Sequence, residues 1–179
     1  MLALKIERVT RLSDDQIAAL SRILIGVVRA GASVGFVPPL SQDVADAYWR
    51  GVLKPGCVLL IATRDGQIAG TGQLELAMRA NGRTRAEVCK VLVAVEAQGQ
   101  GIGKALMLAL EDEARNEGRS LLHLDTNSDD RSNRLYLAMG YTAAGTIPNW
   151  AIDADGVRHA TTIYYKELKE RSESSQEHV

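Results

Sequence analysis

Along the chain the spacing of apolar residues changes period several times, and each change marks an element. Leu4, Ile6 and Val9 stand among polar neighbours over residues 3–9 and predict a short strand. Ser13 and Gln16 have the spacing of a capping box, ahead of Ile17, Leu20, Ile23, Leu24 and Val27 at helical intervals. That helix ends near Gly31, and the run Gly31-Ala32-Ser33-Val34-Gly35-Phe36-Val37-Pro38-Pro39 reads as a loop. A second helix starts at Ser41, covers about 41–53 and stops before Pro55-Gly56.

From there the period shortens to two. Cys57 to Thr63 is a continuous apolar run, Asp65-Gly66 is a hairpin turn, and Gln67 to Met78 returns as a second strand. Asn81-Gly82 turns the chain again, into a third strand from Ala86 to Val95. Gly101 to Glu117 is amphipathic, with Ile102, Leu106, Ala109, Leu110 and Ala114 on one face. Gly118 is placed to close that helix in a left-handed conformation. A strand from Ser120 to Asp125, a short helix over about 131–139 and strands near 141–151 and 158–168 complete the pattern.

The order β-α-α-β-β-β-α-β-α-β-β predicts an antiparallel meander, then a crossover that lays Ser120–Asp125 parallel to Ala86–Val95. The expected fold class is α/β (α+β mixed sheet), with about seven central strands flanked by about four helices. Residues 1–169 read as one domain, and the polar run Glu170 to Val179 as a frayed tail.

Composition narrows the class. Of the 179 residues, 46% are hydrophobic and 24% charged, which suffices for a sizeable core. Lys and Arg number 21 against 22 Asp and Glu, a net charge of −1, which argues against a nucleic-acid binder with a broad basic face. No run approaches the ~20 apolar residues of a membrane span. The start, Met1-Leu2-Ala3-Leu4-Lys5-Ile6-Glu7, lacks the order of a signal peptide. Cys57 and Cys89 lie in strand-like runs and read as buried reduced thiols, which points to the cytoplasm. No His, Cys and carboxylate residues stand at metal-ligand spacing, so no metal is expected. The unusual count is 16 glycines beside 4 prolines, because of where the glycines fall.

Three of them crowd one strand-to-helix junction. Leu92 and Val93 lie in the apolar strand, Gln98-Gly99-Gln100-Gly101-Ile102-Gly103-Lys104 follows it, and the amphipathic helix begins. Glycines at alternate positions let the backbone approach a ligand, and N–H groups at a helix start lack partners. With Lys104 adding a charge, the turn reads as an anion cradle. Two familiar cradles fail on spacing. A dinucleotide fingerprint from Gly99 would need glycine at Lys104. A phosphate loop ending in Gly103-Lys104 would have Gln98 for its first glycine and Ala105 for its hydroxyl. A tight turn that merely needs flexible glycine is the plainer alternative. The pattern that fits is Gln98-x-x-Gly101-x-Gly103.

With that turn in that setting, the chain resembles the GCN5-related N-acetyltransferases, the GNAT superfamily, whose element order it shares from end to end. Patches at Gly31–Phe36, Ala86-Glu87-Val88-x-Lys90, Leu121–Thr126 and Ile163–Lys166 are similar to the tabtoxin-resistance branch. The resemblance implies acetyl-CoA as co-substrate, its pyrophosphate on the turn and its pantetheine arm along the strand end at Leu92-Val93. It implies acetyl transfer to a primary amine of a small molecule, an amino-acid-like toxin or antibiotic in the closest branch, directly in a ternary complex. Relatives are often dimers, so a homodimer is one assembly the resemblance allows. A protein acetyltransferase acting on lysine or an N-terminus, and a non-catalytic acyl-CoA-binding module, are the alternatives.

Acetyl transfer to an amine needs loss of an ammonium proton, a donor for the oxyanion and an acid for the leaving thiolate. Tyr136, in Leu135-Tyr136-Leu137-Ala138-Met139-Gly140-Tyr141, matches the family's L-Y-x-x-x-G-[FY] segment, whose tyrosine faces the coenzyme sulfur. The resemblance makes it the acid; on its own it also reads as a core aromatic. Glu87 precedes Gln98 by eleven residues, the separation of the strand glutamate that serves histone-acetylating members as base. A carboxylate between Ala86 and Val88 on a central strand is costly unless paired or functional. Asp125 is the rival base, and His123 shares its face. In relatives the Gly31–Val37 loop and the segment Asn149-Trp150 to His159 flank the acceptor, so Trp150 and His159 are candidate pocket residues. A packed tryptophan and an exposed loop histidine are the alternatives there. An asparagine that many members carry seven residues before the tyrosine is Asp129 here, and Asn133 stands too late to replace it.

Overall fold

The computed structural model describes residues 4–169. It runs through β1 (Leu4–Val9), α1 (Asp14–Arg29), α2 (Gln42–Arg50), β2 (Cys57–Arg64), β3 (Gln67–Leu76) and β4 (Arg85–Val93). Then follow α3 (Ile102–Asn116), β5 (Leu121–Asn127), α4 (Ser132–Ala138), β6 (Thr142–Ile152) and β7 (Arg158–Glu167). The expected mixed sheet of seven strands with four helices is what forms, in the order β1-β2-β3-β4-β5-β7-β6. Every pairing is antiparallel except β4 with β5, which the α3 crossover makes parallel. The tail expected from Glu170 to Val179 lies outside the described residues.

The punctuation acts as the residue types dictate. Ser13 and Gln16 cap α1 reciprocally, each side chain bonding the other's backbone N–H at 3.2 and 2.9 Å. Asp65 and Gly66 both take positive φ, +55° and +77°, the twist-matched hairpin turn. The third strand ends at Val93 rather than Val95, because Val95–Ala97 wind into a short 3₁₀ turn.

Two cores sandwich the sheet. Val58, Leu60 and Ala62 of β2 join α3 in one core, while Leu59 and Ile61 join α1 and Trp49 of α2 in the other. A strand buried on both faces explains why its sequence is a continuous apolar run. On the α3 side the helix sits almost on the backbone of β3. A Cβ at Gly70 would come within 3.1 Å of Leu106 Cδ1, and one at Gly72 within 2.8 Å of Leu110 Cδ1. At the far end of α3, Glu111 is only 3% exposed and accepts from Lys166 Nζ at 2.7 Å, which also donates to Met139 O at 2.8 Å. That charge ties α3 to β7 and to the end of α4 through the core.

Two irregularities shape the middle of the sheet. In β4, Ala86 and Val88 face the α3 core, but Leu92 and Ala94 beyond them face the α1 core. Residues of equal parity should share a face. The inversion occurs at Lys90, which takes φ +50°, where Lys90 and Val91 together oppose Gly72 of β3. This is a β-bulge, one extra residue that bends the strand and re-aims its side chains. The second irregularity is a parting of strands. β4 and β5 pair only at Arg85–Leu121, Ala86–Leu122 and Glu87–His123. Beyond that point β4 continues on β3 and β5 continues on β7, opening a gap between them.

Candidate active site

The gap collects most of the residues singled out above. On its α3 side, the chain leaves β4 at Val93 and re-enters α3 through the glycine turn. Gly101 caps α3 at φ +81° and Gly99 takes φ +76°, with nothing within 4 Å of a Cβ at either. Both positions demand backbone freedom, not space. Gly103 differs. It lies inside α3, outside the left-handed region, and a Cβ there would touch Leu135 Cδ2 and Val93 Cγ2 at an ordinary 3.8 Å. No side chain caps α3, so the N–H groups of Ile102, Gly103 and Lys104 have no acceptor within the helix.

The glutamines brace this turn. Gln98 Nε2 donates to Val93 O at 3.1 Å, and its Oε1 accepts from Arg131. Gln100 Nε2 donates to Glu96 O at 3.2 Å, and its Oε1 accepts from Arg64. Leu92 is buried toward α1, Val93 packs toward α3, and Lys104 is exposed. The arrangement fits the diphosphate of a coenzyme A ester: open space over Gly99 and Gly101, and unpaired N–H groups at the positive end of α3.

Tyr136 of α4 is 9% exposed and packs beside Tyr141 and Tyr164, with ring centroids 6.0 and 5.7 Å away. Burial pushes its hydroxyl up to about 12, a hydrogen bond with Ser132 acts against this, and the nearby charges of Asp130 and Asp125 add to the rise. Tyr136 therefore keeps its proton at neutral pH. Tyr141 is a packing aromatic, 3% exposed with Lys166 Nζ 5.3 Å from its ring centre. Asn133 is fully engaged, its Nδ2 donating to Asn127 O at 2.9 Å and its Oδ1 accepting from Tyr164 at 2.8 Å.

The opposite, α1/α2 face of the gap holds the carboxylates. Glu87 is half-buried, flanked by its register partners Glu75 and His123. Lys54 pairs with Glu75 at 3.3 Å, and Glu87 forms no ion pair among the described residues. Asp125 is exposed, and its Oδ2 accepts from the buried Thr161 hydroxyl at 2.7 Å. Glu87, His123 and Asp125 thus share one face, while Tyr136 and the turn share the other.

The β6–β7 hairpin tip corrects two alternatives. Trp150 is not packed but 56% exposed, and His159 is not an exposed loop histidine but a half-buried residue of β7. Its Nε2 lies 2.8 Å from Asp153 Oδ2, a bond that holds the Asp153 carboxyl below the usual range. The thiols also depart from expectation, since Cys57 and Cys89 are half-buried rather than buried. Burial still pushes the Cys89 thiol up to about 12.

Gln73, Tyr48 and Lys90 lie on the acceptor side without a site role expected from the sequence. Gln73 of β3 is 1% exposed and accepts from Tyr48 of α2 at 3.0 Å. Lys90, at the bulge, lies with its Nζ 5.8 Å from the centre of the Tyr48 ring. The available signal was a lone polar residue, Gln73, at a core position of a glycine-rich strand.

The model of the acetyltransferase (GNAT) family matches residues 29–141. The chain belongs to the GNAT acetyltransferase family. It is 32% identical over 135 residues to an uncharacterized N-acetyltransferase from the hisH-hisA intergenic region of Azospirillum brasilense, spanning 73% of this chain and 80% of that one. Phosphinothricin N-acetyltransferase of Alcaligenes faecalis is 33% identical over 139 residues, 75% and 69% of the two chains. Aminoalkylphosphonate N-acetyltransferase of Salmonella typhimurium is 30% identical over 102 residues, 56% and 66%. Among solved structures, an N-acetyltransferase from Staphylococcus aureus Mu50 superposes with a TM-score of 0.80 at 18% identity, covering 93% and 99% of the chains. A Salmonella typhimurium protein solved with its cofactor acetyl-CoA gives 0.76 at 23%, covering 97% and 99%. Acetyl-CoA as co-substrate of this GNAT enzyme fits both the family and the turn. Among the described residues no helix is long and apolar enough to cross a membrane, and no group of three or more His, Cys, Asp or Glu is placed to hold a metal ion.

Proposed function

We propose that this GNAT enzyme moves acetyl from acetyl-CoA to the primary amine of a small, amino-acid-like molecule within a ternary complex. The observation that carries the reading is the uncapped start of α3, whose glycine turn opens beside the gap between β4 and β5. Gly99 to Lys104 would hold the diphosphate through backbone N–H groups, and the edge of β4 at Leu92-Val93 would take the pantetheine arm. When bound, the coenzyme supplies the acetyl group as a thioester and leaves as the thiolate.

The chain's own groups then have separate tasks. Glu87 or Asp125, on the acceptor side, takes a proton from the ammonium so that its nitrogen can attack the acetyl carbon. Tyr136, protonated at neutral pH, stands on the other side to hydrogen-bond and protonate the leaving sulfur. The free thiols agree with a cytoplasmic setting. Relatives that act on phosphinothricin and aminoalkylphosphonates favour a small-molecule acceptor. The test is acetyl-CoA consumption against a panel of small amines and a lysine peptide. Turnover of small amines by the wild type is expected. Tight coenzyme binding with no amine turned over would sink the enzymatic reading, and turnover of the peptide alone would sink the small-molecule one.

A further inference from the structure

Gln73 is the anomaly on the acceptor side of the gap. Its Oε1 accepts from Tyr48 and lies 4.0 Å from Cys89 Sγ, but its Nε2 has no hydrogen-bond partner although the residue is 1% exposed. A buried donor without an acceptor is costly, and a native chain keeps one where something else completes it. Lys90 stands beside it. Cys89, the register partner of Gln73, precedes Lys90 in the bulge, and the Lys90 Nζ reaches the Tyr48 ring. Among the described residues no carboxylate pairs with this ammonium. The Gly31–Val37 loop meets Lys90 and Tyr48: a Cβ at Gly35 would lie 3.5 Å from Lys90 Nζ, and Phe36 meets Tyr48 edge-on at 5.5 Å.

An unpaired cation and an unpaired buried amide N–H on the α1/α2 face of the sheet offer donors without acceptors. Glu87 and Asp125, across the same face, do the opposite. That face thus has a donating end and a carboxylate end, which matches a molecule with an acid group and an ammonium. We propose that Lys90 and Gln73 Nε2 bind the acid group of the acceptor, so that this enzyme selects amines carrying a carboxylate, phosphinate or phosphonate over neutral ones. Tyr48 acts as a positioning residue. It engages Gln73 Oε1 and so leaves Nε2 as the free end of the amide, and it offers Lys90 an aromatic face.

The proposal rests on the acetyl-transfer reading above, so two readouts are needed. The first is kcat/KM for L-phosphinothricin, 1-aminoethylphosphonate and L-methionine, against L-methioninamide and propylamine. The second, independent of turnover, is calorimetric binding of L-phosphinothricin to the protein saturated with coenzyme A. The wild type should prefer the acid-bearing amines and bind L-phosphinothricin. Lys90→Met should raise KM for acid-bearing amines and weaken binding by about 10- to 100-fold, the scale of a charged hydrogen bond, with kcat within threefold. Lys90→Arg should keep most of the affinity, and Gln73→Met, which fills the same space, should weaken it with the fold intact by circular dichroism. Unchanged affinity in Lys90→Met would overturn the proposal while leaving acetyl transfer standing. So would preference for propylamine or the amide. Failure of the wild type to turn over any amine would sink the acetyl-transfer reading; the acid-binding site would then stand or fall on calorimetry, where absence of L-phosphinothricin binding overturns it.

Discussion

The glycine turn yields a prediction in which stability and ligand binding separate. Gly101 caps α3 at φ +81°, where an L side chain is strained even with open space around it. Placing alanine there costs roughly 1–2 kcal/mol. At about 2–4 °C per kcal/mol for a chain of this size, Gly101→Ala should lower Tm by ~2–8 °C. Gly103 sits inside α3, and its Cβ would make only 3.8 Å contacts. Gly103→Ala therefore replaces the poorest common helix former with the best, and gains at most about 1 kcal/mol. Tm should hold or rise by up to ~4 °C. Gly103→Val adds two methyls beyond that Cβ, beside the N–H groups proposed to hold the diphosphate. Differential scanning fluorimetry of the free proteins and calorimetry with acetyl-CoA measure the two effects. Gly103→Val should lose tenfold or more in coenzyme affinity while melting cooperatively. A Gly101→Ala protein as stable as wild type, or a Gly103→Val protein that binds with wild-type affinity, would refute the reasoning.

Other outcomes follow from the same geometry. Tyr136→Phe should lower kcat by about 10²- to 10⁴-fold, the usual range for a lost acid, with KM for acetyl-CoA within threefold in steady-state assays. Lys166→Met leaves Glu111 charged in the core with Arg115 at 3.9 Å as its remaining partner. It should cost about 3 kcal/mol, and the double variant Glu111→Leu/Lys166→Met should recover most of it, as read from urea midpoints. Alkaline stability has a sign fixed by burial. Cys89 and Tyr136 are each raised to about 12, above unfolded values of about 8.5 and 10. Their contribution is complete below those unfolded values and is lost as pH rises toward 12. Tm should thus begin to fall above about pH 9, and Cys89→Ala should delay that onset.

Much of the fold was legible because local chemistry and tertiary position agree. Ser13 and Gln16 can only cap a helix, Asp65-Gly66 can only turn a hairpin, and a β2 apolar on both faces announces a central strand. The glycine turn was legible for a related reason, since Gly99 and Gly101 answer to φ, a local requirement. What escaped depends on partners distant in sequence. Gly70 and Gly72 exist for α3, and Glu111 is tolerable only because Lys166 arrives from β7. Gln73 matters through Tyr48, 25 residues away. The half-burial of the cysteines has the same origin, for a strand residue's exposure is decided by the loop that covers it, and an apolar run does not carry that information.

The bulge at Lys90 sets what kind of change this strand can absorb. Because parity inverts there, the residues before it and after it are in opposite phase with the sheet. Substitutions on either side leave that phase alone and act one position at a time. Removing a single residue from the bulge would restore an uninterrupted pleat. Leu92 and Ala94 would keep the α1 side and Val91 and Val93 the α3 side, because the bulged residue is the one out of phase; a deletion that left the bulge in place would exchange the two sets. The bulge, and not the residue count of β4 alone, therefore sets which side chains each face of the strand presents before and after Lys90.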